Sequence, residues 1–213
     1  KEKLLNHLNS FLFREDVTLT SSNHFSLALQ GPKSQEIIKI FTQSSDSSPE
    51  KPNDIYEFTF EGLPALAIAK SLTGEEGCVL VFQTKSEDTV TKKLLELEQQ
   101  NLLTRIDCHA REVFRIEAGI PSYGKDISDK NILPETGLEH SSVSYSKGCY
   151  IGQEVIARIK TYGAPNFALM GLIIEGDVLP ISGSEIKLDS KKLGYIKSSI
   201  FSYSLQKNIS LAY

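Results

Sequence analysis

Two short segments of the chain contain residue types that could bind a ligand or take part in a reaction, and the first is Arg115-Ile116-Glu117-Ala118-Gly119. Helical spacing from His109 onward makes Glu117 the one acid on the apolar side of the predicted helix and places Arg115 on the opposite side. Glu117 also lies near the helix C-terminus, where the helix dipole disfavours a negative charge. Such a carboxylate needs a partner. The partner could be a buried arginine or a backbone amide, which the residues alone favour, or it could be a bound ligand.

The second segment is Lys147-Gly148-Cys149-Tyr150-Ile151-Gly152-Gln153-Glu154. The apolar spacing after it predicts a helix that begins at Gln153. Cys149 would then lie in a tight turn ahead of a helix N-terminus and beside Lys147, and both features favour the thiolate. Such a thiol could be a nucleophile, a redox group or a ligand for a soft metal. The residues alone give equal weight to a small, buried and inert side chain.

The elements that must position these segments follow from the hydrophobic spacing. In chain order the patterns predict a helix over 1–13, strands around 17–19 and 25–29, a helix around 37–41, a mobile polar loop over 42–54, strands around 56–60, 65–69 and 78–82, and a helix from 86 to 100. Because the strands come in pairs joined by short turns, they favour an α+β fold with mostly antiparallel sheets. After residue 165 only strand-like segments remain, which predicts a small C-terminal β-barrel or sandwich.

Composition and charge exclude several classes of protein. The net charge of −4 argues against nucleic-acid binding, which usually needs a basic surface, and no apolar run is long enough to span a bilayer. The chain has three cysteines and no C-x-x-C, so neither a disulfide framework nor a zinc site is expected. Cys78 lies inside a predicted strand and Cys108 at the end of another, and both are therefore expected to be structural and shielded.

Several runs of sequence, taken in order, are similar to the landmarks of a known superfamily. They are FLFREDVTLT at 11–20, RIEAGIPSYGKDI at 115–127, LPETGLE at 133–139, KGCYIGQE at 147–154 and ARIKTYG at 157–163. Together they resemble the YgfZ and glycine-cleavage T-protein superfamily over nearly the whole chain. The resemblance implies a folate-binding domain over residues 1–163 and a C-terminal β-barrel over residues 164–213, each expected to be incomplete at its outer end.

The same resemblance implies tetrahydrofolate or a one-carbon derivative as the cofactor, and no metal. In T-proteins the acid of the R-x-E-A-G segment holds the pterin ring, so Glu117 is expected to bind the cofactor, together with Tyr123 and Gln153. T-proteins generally have an acid where this chain has Cys149, whereas YgfZ-type proteins have K-G-C-Y. The resemblance therefore implies a YgfZ-type protein whose catalytic residues are Cys149 and Lys147.

A YgfZ-type protein is expected to support the assembly or repair of iron–sulfur enzymes. Its expected partners are folate and iron–sulfur client proteins, with no nucleic acid and no membrane. We further expect a monomer in the cytoplasm, or in the mitochondrial matrix of a eukaryote. The alternatives are an aminomethyltransferase, which moves a one-carbon unit from a lipoyl carrier to tetrahydrofolate, and a folate-binding module without chemistry. The favoured interpretation predicts no glycine-cleavage activity and leaves open whether the protein is an enzyme.

Overall fold

Helices and strands alternate in the first part of the chain, and strands dominate its last part. The structure is a computed structural model that describes residues 2–43, 49 and 51–213. The helices are Glu2–Asn9 (α1), Ser34–Thr42 (α2), Glu87–Gln99 (α3), Cys108–Glu117 (α4), Glu139–Ser142 (α5) and Gln153–Tyr162 (α6). The strands are His24–Gln30 (β1), Ile55–Phe60 (β2), Leu63–Ala69 (β3), Gly77–Gln83 (β4), Met170–Ile174 (β5), Glu185–Leu188 (β6), Lys191–Ser202 (β7) and Lys207–Ala212 (β8).

Contacts within the chain divide it into two units. The first unit holds the segments up to Leu29, Lys33–Lys70 and Cys78–Leu103. The second holds Gln30–Pro32, Ser71–Gly77 and Thr104–Tyr213. The predicted domain boundary after residue 163 stays a prediction.

The first unit is built on a four-stranded sheet in the order β1-β4-β3-β2, in which β2–β3 and β3–β4 are antiparallel. Glu61 and Gly62 join β2 to β3, and their φ angles of +49° and +77° are the left-handed values that a two-residue hairpin turn needs. Along β4, buried and half-buried side chains alternate, as the two-residue period of a strand requires. Helices α2 and α3 add apolar side chains to the same core. The sheet and its helices confirm the predicted α+β character.

Phe82 lies at the centre of the core of the first unit. Its side chain is 1% exposed, and its ring centroid lies between 5.2 and 5.9 Å from those of Phe25, Phe41, Phe58 and Phe60. Phe58 and Phe60 meet it edge to face, which is a favoured arrangement because the positive edge of one ring meets the negative face of the other. One side chain therefore joins strands β1, β2 and β4 to helix α2.

The second unit contains a four-stranded sheet in the order β5-β8-β7-β6, with antiparallel pairing throughout. This confirms the strands predicted after residue 165. The sheet is open, because β5 and β6 are its edges and do not pair with each other in the part of the chain that the structure describes. The closed C-terminal barrel is therefore not shown. Helix α4 packs on β7 and β8, where Val113 and Ile116 join Ile200, Ile209 and Leu211 in a buried cluster.

Arg115 is buried in the second unit rather than placed on the polar side of α4. Its Nε and Nη2 donate to the two carboxylate oxygens of Glu112 at 3.1 and 2.8 Å. Its Nη1 donates to Asp126 Oδ2 at 2.7 Å and to the carbonyl oxygen of Ile120 at 2.6 Å. Asp126 is fully buried. The helical spacing did not reveal the network because the chain folds back over α4 after the helix ends.

Other local predictions were also wrong or fall outside the structure. The first helix ends at Asn9 rather than at residue 13, and Val17–Leu19 forms no strand. Cys108 begins α4 instead of ending a strand, because Asp107 Oδ1 accepts a hydrogen bond from the backbone N–H of Ala110 at 2.7 Å and caps the helix there. The mobile loop predicted over 42–54 lies partly outside the described residues.

Among the helices of the described ranges, none has both the length and the apolar character needed to cross a membrane.

The phenylalanine core gives a first prediction, on the stability of the first unit. Phe82→Ala is expected to lower the free energy of unfolding by about 3–5 kcal/mol, because it removes buried apolar surface and leaves a cavity. Phe13, which is 83% exposed, provides a matched control. Phe13→Ala is expected to change stability by less than about 0.5 kcal/mol. Urea unfolding of both variants measures the difference, and equal losses would contradict the assigned core.

The Arg115 network gives a second prediction, on pH. The hydrogen bond from Arg115, opposed by burial and aided by Lys125, holds the pKa of Glu112 at about 2, below its ordinary value of 4.5. A carboxyl group whose pKa is lower in the folded protein stabilises the fold above its unfolded pKa, and that contribution is lost as the pH falls through the folded pKa. Glu112→Gln should therefore destabilise the protein at neutral pH. Its deficit relative to the wild type should shrink as the pH falls from 4.5 towards 2.

Urea unfolding across this pH range measures the deficit, with Glu57→Gln as the control for an exposed glutamate. A deficit that stays constant with pH would show that Glu112 does not act through its charge.

Candidate functional site

Glu117 is the last residue of α4, and a glycine fixes the end of this helix. Gly119 has a φ of +70°, a left-handed value that glycine adopts without steric cost. The N–H of Ile120 donates to the carbonyl oxygen of Arg115 at 2.9 Å, and the N–H of Gly119 donates to that of Ile116 at 3.0 Å. This pair of bonds is a Schellman motif. The sequence Glu117-Ala118-Gly119 therefore ends the helix just beyond the carboxylate.

The half-buried Glu117 carboxylate accepts hydrogen bonds from two serine hydroxyls. Ser202 Oγ donates to Oε1 at 2.5 Å, and Ser204 Oγ donates to Oε2 at 3.2 Å. Ser202 lies at the end of β7 and is fully buried, whereas Ser204 lies in the following turn and is exposed. The residues alone favoured a buried arginine or a backbone amide as the protein partner of Glu117. That prediction was wrong, because the observed partners are serine hydroxyls. The alternative of a bound ligand stays open, because the carboxylate remains partly accessible.

Tyr123 lies in the turn that follows α4. Its side chain is 73% exposed and has no hydrogen-bond partner within the described ranges. The turn itself is ordered by its backbone, since Gly124 N–H donates to the carbonyl oxygen of Ile127 and Asp126 N–H to that of Ser122, both at 2.8 Å. The phenol is therefore presented on a fixed turn, and its predicted contact with a cofactor stays a prediction.

Cys149 is exposed and precedes a turn formed by Tyr150, Ile151 and Gly152. Helix α6 begins at Gln153 as predicted, with Gly152 at its N-cap position and a φ of +89°. The side chain of Gln153 is used locally, because its Oε1 accepts a hydrogen bond from the N–H of Tyr150 at 3.1 Å. The ammonium of Lys147 lies 4.7 Å from the centroid of the Tyr150 ring, a cation–π distance. Lys147 and Gln153 thus both contact Tyr150.

The environments of the three thiols differ. Cys78 is fully buried in the core of the first unit, as predicted, and burial raises the pKa of its thiol to about 12. Cys108 was predicted to be shielded, but it is exposed because it begins helix α4. Exposure therefore separates Cys78 from Cys108 and Cys149, and it does not single out Cys149.

Four of the five predicted site residues fall into two separate groups, and Tyr123 belongs to neither. One is the segment around Cys149, in which Lys147 and Gln153 both contact Tyr150. The other is Glu117 with its two serines, and no hydrogen bond or ring contact of the described residues links it to the first group or to Tyr123. The sequence pattern did not indicate Ser202 and Ser204 as site residues, because nothing in the residues around a hydroxyl at a strand end indicates a partner far away in the chain.

Two further observations concern ligand binding. One is a surface depression in the second unit, and the other is the arrangement of possible metal-binding side chains among the described residues. A shallow depression of about 290 Å³ lies beside the end of β5 and the β7–β8 hairpin, and no predicted site residue lines it. Among the described residues, no group of three or more His, Cys, Asp or Glu side chains is arranged to hold a metal ion.

Two similar proteins have the same name, aminomethyltransferase. An aminomethyltransferase of Caldanaerobacter subterraneus subsp. tengcongensis is 30% identical over 210 residues, which are 96% of this chain and 54% of that protein. An aminomethyltransferase of Symbiobacterium thermophilum is 33% identical over 190 residues, which are 88% of this chain and 50% of that protein. The chain thus spans about half the length of the curated relatives it matches.

The comparisons also place the fold and the family. The crystal structure of the glycine cleavage system aminomethyltransferase T from Bartonella henselae superposes with a TM-score of 0.81 over 100% of this chain and 57% of that one. At 18% identity this likeness concerns the fold alone. The model of the GCVT N-terminal domain matches residues 1–146, which is well over half of the chain. Taken with the relatives, this match shows that the chain belongs to the GCVT N-terminal domain family.

Proposed function

We propose that this chain is the tetrahydrofolate-binding part of an aminomethyltransferase-type protein, with Glu117 as a contact for the pterin ring. The observation that supports the proposal is the Glu117 carboxylate, which is partly accessible at the end of α4 and whose hydrogen-bond partners among the described residues are two hydroxyl groups. A carboxylate can accept paired N–H donors, such as those on the aminopyrimidine edge of a pterin. The residues present therefore fit this cofactor or a one-carbon derivative of it.

The proposed activity is transfer of a one-carbon unit from an aminomethylated lipoyl carrier to tetrahydrofolate. The C–S bond to the carrier and the C–N bond to the amino group break, two C–N bonds to the folate form, and the carrier thiol and ammonia are released. The relatives named aminomethyltransferase support this activity better than they support the iron–sulfur role that the sequence analysis favoured. In such a reaction Glu117 would bind and orient the pterin, while the folate accepts the one-carbon unit.

A second candidate function is the YgfZ-type role in the assembly or repair of iron–sulfur enzymes. The observation in its favour is Cys149, which is exposed in the K-G-C-Y run where T-proteins generally have an acid. Iron–sulfur client proteins would then be the partners and Cys149 the reactive thiol, with Lys147 beside it in the sequence. A location in the cytoplasm, or in the mitochondrial matrix, suits either candidate.

The first prediction from these proposals concerns folate binding. Glu117→Gln exchanges one acceptor for a donor and removes the charge, so it should weaken tetrahydrofolate binding by about 1.5–3 kcal/mol, or about ten- to a hundred-fold. Calorimetry on the full-length protein that contains this chain measures the affinity. Glu57→Gln is the matched control, because Glu57 is an exposed glutamate on β2 of the first unit. Wild-type affinity in Glu117→Gln would rule out the pterin contact.

The second prediction separates the two candidate functions. The transferase predicts that full-length protein forms methylenetetrahydrofolate from an aminomethylated lipoyl carrier, and that Cys149→Ser retains this turnover. The iron–sulfur role predicts no turnover, together with lower activity of iron–sulfur enzymes in cells that carry Cys149→Ser. Cys108→Ser is the matched control, since Cys108 is the other exposed thiol. Folate binding without turnover would eliminate the transferase.

A further inference from the structure

We infer that Ser202 and Ser204 are positioning residues, which orient the Glu117 carboxylate so that one acceptor site on each oxygen faces the ligand. This inference rests on the proposed function, because it concerns the orientation of the proposed pterin contact. The two serines come from the end of β7 and the turn before β8, far from Glu117 in the chain.

The direction of the hydrogen bond between Ser202 and Glu117 is fixed by the other contact of the Ser202 hydroxyl. Its Oγ accepts a hydrogen bond from the backbone N–H of Leu205 at 3.0 Å. A hydroxyl has a single proton, and here that proton is donated to Glu117 Oε1 at 2.5 Å. Because Ser202 is fully buried, no water competes for this bond.

The turn that holds Ser204 is ordered by its own contacts. The side-chain Nε2 of Gln206 donates to the carbonyl oxygen of Tyr203 at 2.7 Å, and Gln206 has a left-handed φ of +52°. Ser204 Oγ then reaches Oε2, the second oxygen of the carboxylate, at 3.2 Å. The two oxygens of Glu117 are therefore held by two hydroxyls from one hairpin.

Packing fixes the distance between the hairpin and the helix. Ile116, directly before Glu117, is buried in the cluster that contains Ile200 of β7. Ile200 and Ser202 are two residues apart and both buried, so they lie on the same face of the strand, towards α4. The apolar contact thus sets the spacing at which the hydroxyls meet the carboxylate.

The count of acceptor sites defines what this arrangement can recognise. An ionised carboxylate offers about four lone-pair sites, two on each oxygen. Each serine occupies one site on one oxygen, which leaves one site on each oxygen. Two free acceptor sites, one on each oxygen, match in number the two adjacent N–H donors of an aminopyrimidine edge.

The test is a double-mutant cycle on tetrahydrofolate affinity, measured by calorimetry on the full-length protein. Ser202→Ala is expected to weaken binding about ten-fold in the wild-type background, on the scale of one hydrogen bond to a charged group. In the Glu117→Gln background the same change should alter affinity by less than about two-fold, because the group that Ser202 positions is already changed. Equal effects in both backgrounds would overturn the inference.

Two further variants keep the test decisive. Ser199 lies on the same strand and shares a 2.8 Å hydroxyl contact with Ser210, so Ser199→Ala should lower stability without changing affinity. Ser204 is exposed, so Ser204→Ala should fold normally and weaken binding a few-fold, even if Ser202→Ala does not fold. Wild-type affinity in both Ser202→Ala and Ser204→Ala, with weak binding in Glu117→Gln, would overturn this inference alone. Wild-type affinity in Glu117→Gln would instead reject the proposed pterin contact.

Discussion

The buried guanidinium of Arg115 is the interaction on which the structure around α4 depends. Four N–H donor bonds link it to Glu112, to Asp126 and to the carbonyl oxygen of Ile120. A buried charge without such partners would cost several kcal/mol, so the chain after the helix must return to α4 and bring Asp126 with it. Asp126 Oδ2 also accepts the N–H of Ser122 at 2.8 Å, which closes the returning turn. This network fixes the segment that follows Glu117.

Three consecutive residues at the end of α4 make three different kinds of contact. Arg115 binds the returning turn, Ile116 packs into the apolar cluster with β7 and β8, and Glu117 bonds to the β7–β8 hairpin. Successive helical residues point about 100° apart, so each meets a different neighbour. The orientation of the carboxylate is consequently constrained from the helix side and from the sheet side. A carboxylate held in this way is suited to binding a ligand of defined shape, because little ordering is left to occur on binding.

The thiols bear on the choice between the two candidate functions. Cys78 is part of the core, while Cys108 and Cys149 are both exposed. Exposure therefore does not distinguish Cys149; its position in the K-G-C-Y run does. The contacts of Lys147 and Gln153 go to Tyr150, so the described structure stabilises the turn around the thiol rather than the thiol itself. Family membership suits a transferase, and the local sequence at Cys149 suits the iron–sulfur role.

The sequence by itself determined the helices and strands whose hydrophobic pattern depends on residues a few positions apart. The alternating apolar residues of β2, the continuous apolar runs of β3 and β4, the helical spacing around Ile37 and Phe41, and the start of α6 at Gln153 all gave correct predictions, because each depends on neighbours a few residues apart. The resemblance in the R-x-E-A-G run likewise pointed to the GCVT family, whose N-terminal domain model matches residues 1–146. The YgfZ-type assignment, which depends on the K-G-C-Y run beyond that range, stays a prediction. Cys108 was misplaced because a cap at Asp107 started a helix where a strand end was expected.

The tertiary structure alone decided the burial of Arg115 and the partners of Glu117. Ser202 is 85 residues from Glu117 in the chain, and nothing in either local pattern refers to the other. A hydrophobic period shows which side of an element faces the core, but it does not show which polar groups the opposing element presents there. That depends on the packing of α4 on β7 and β8, which sets both the distance and the direction in which hydroxyl and carboxylate meet.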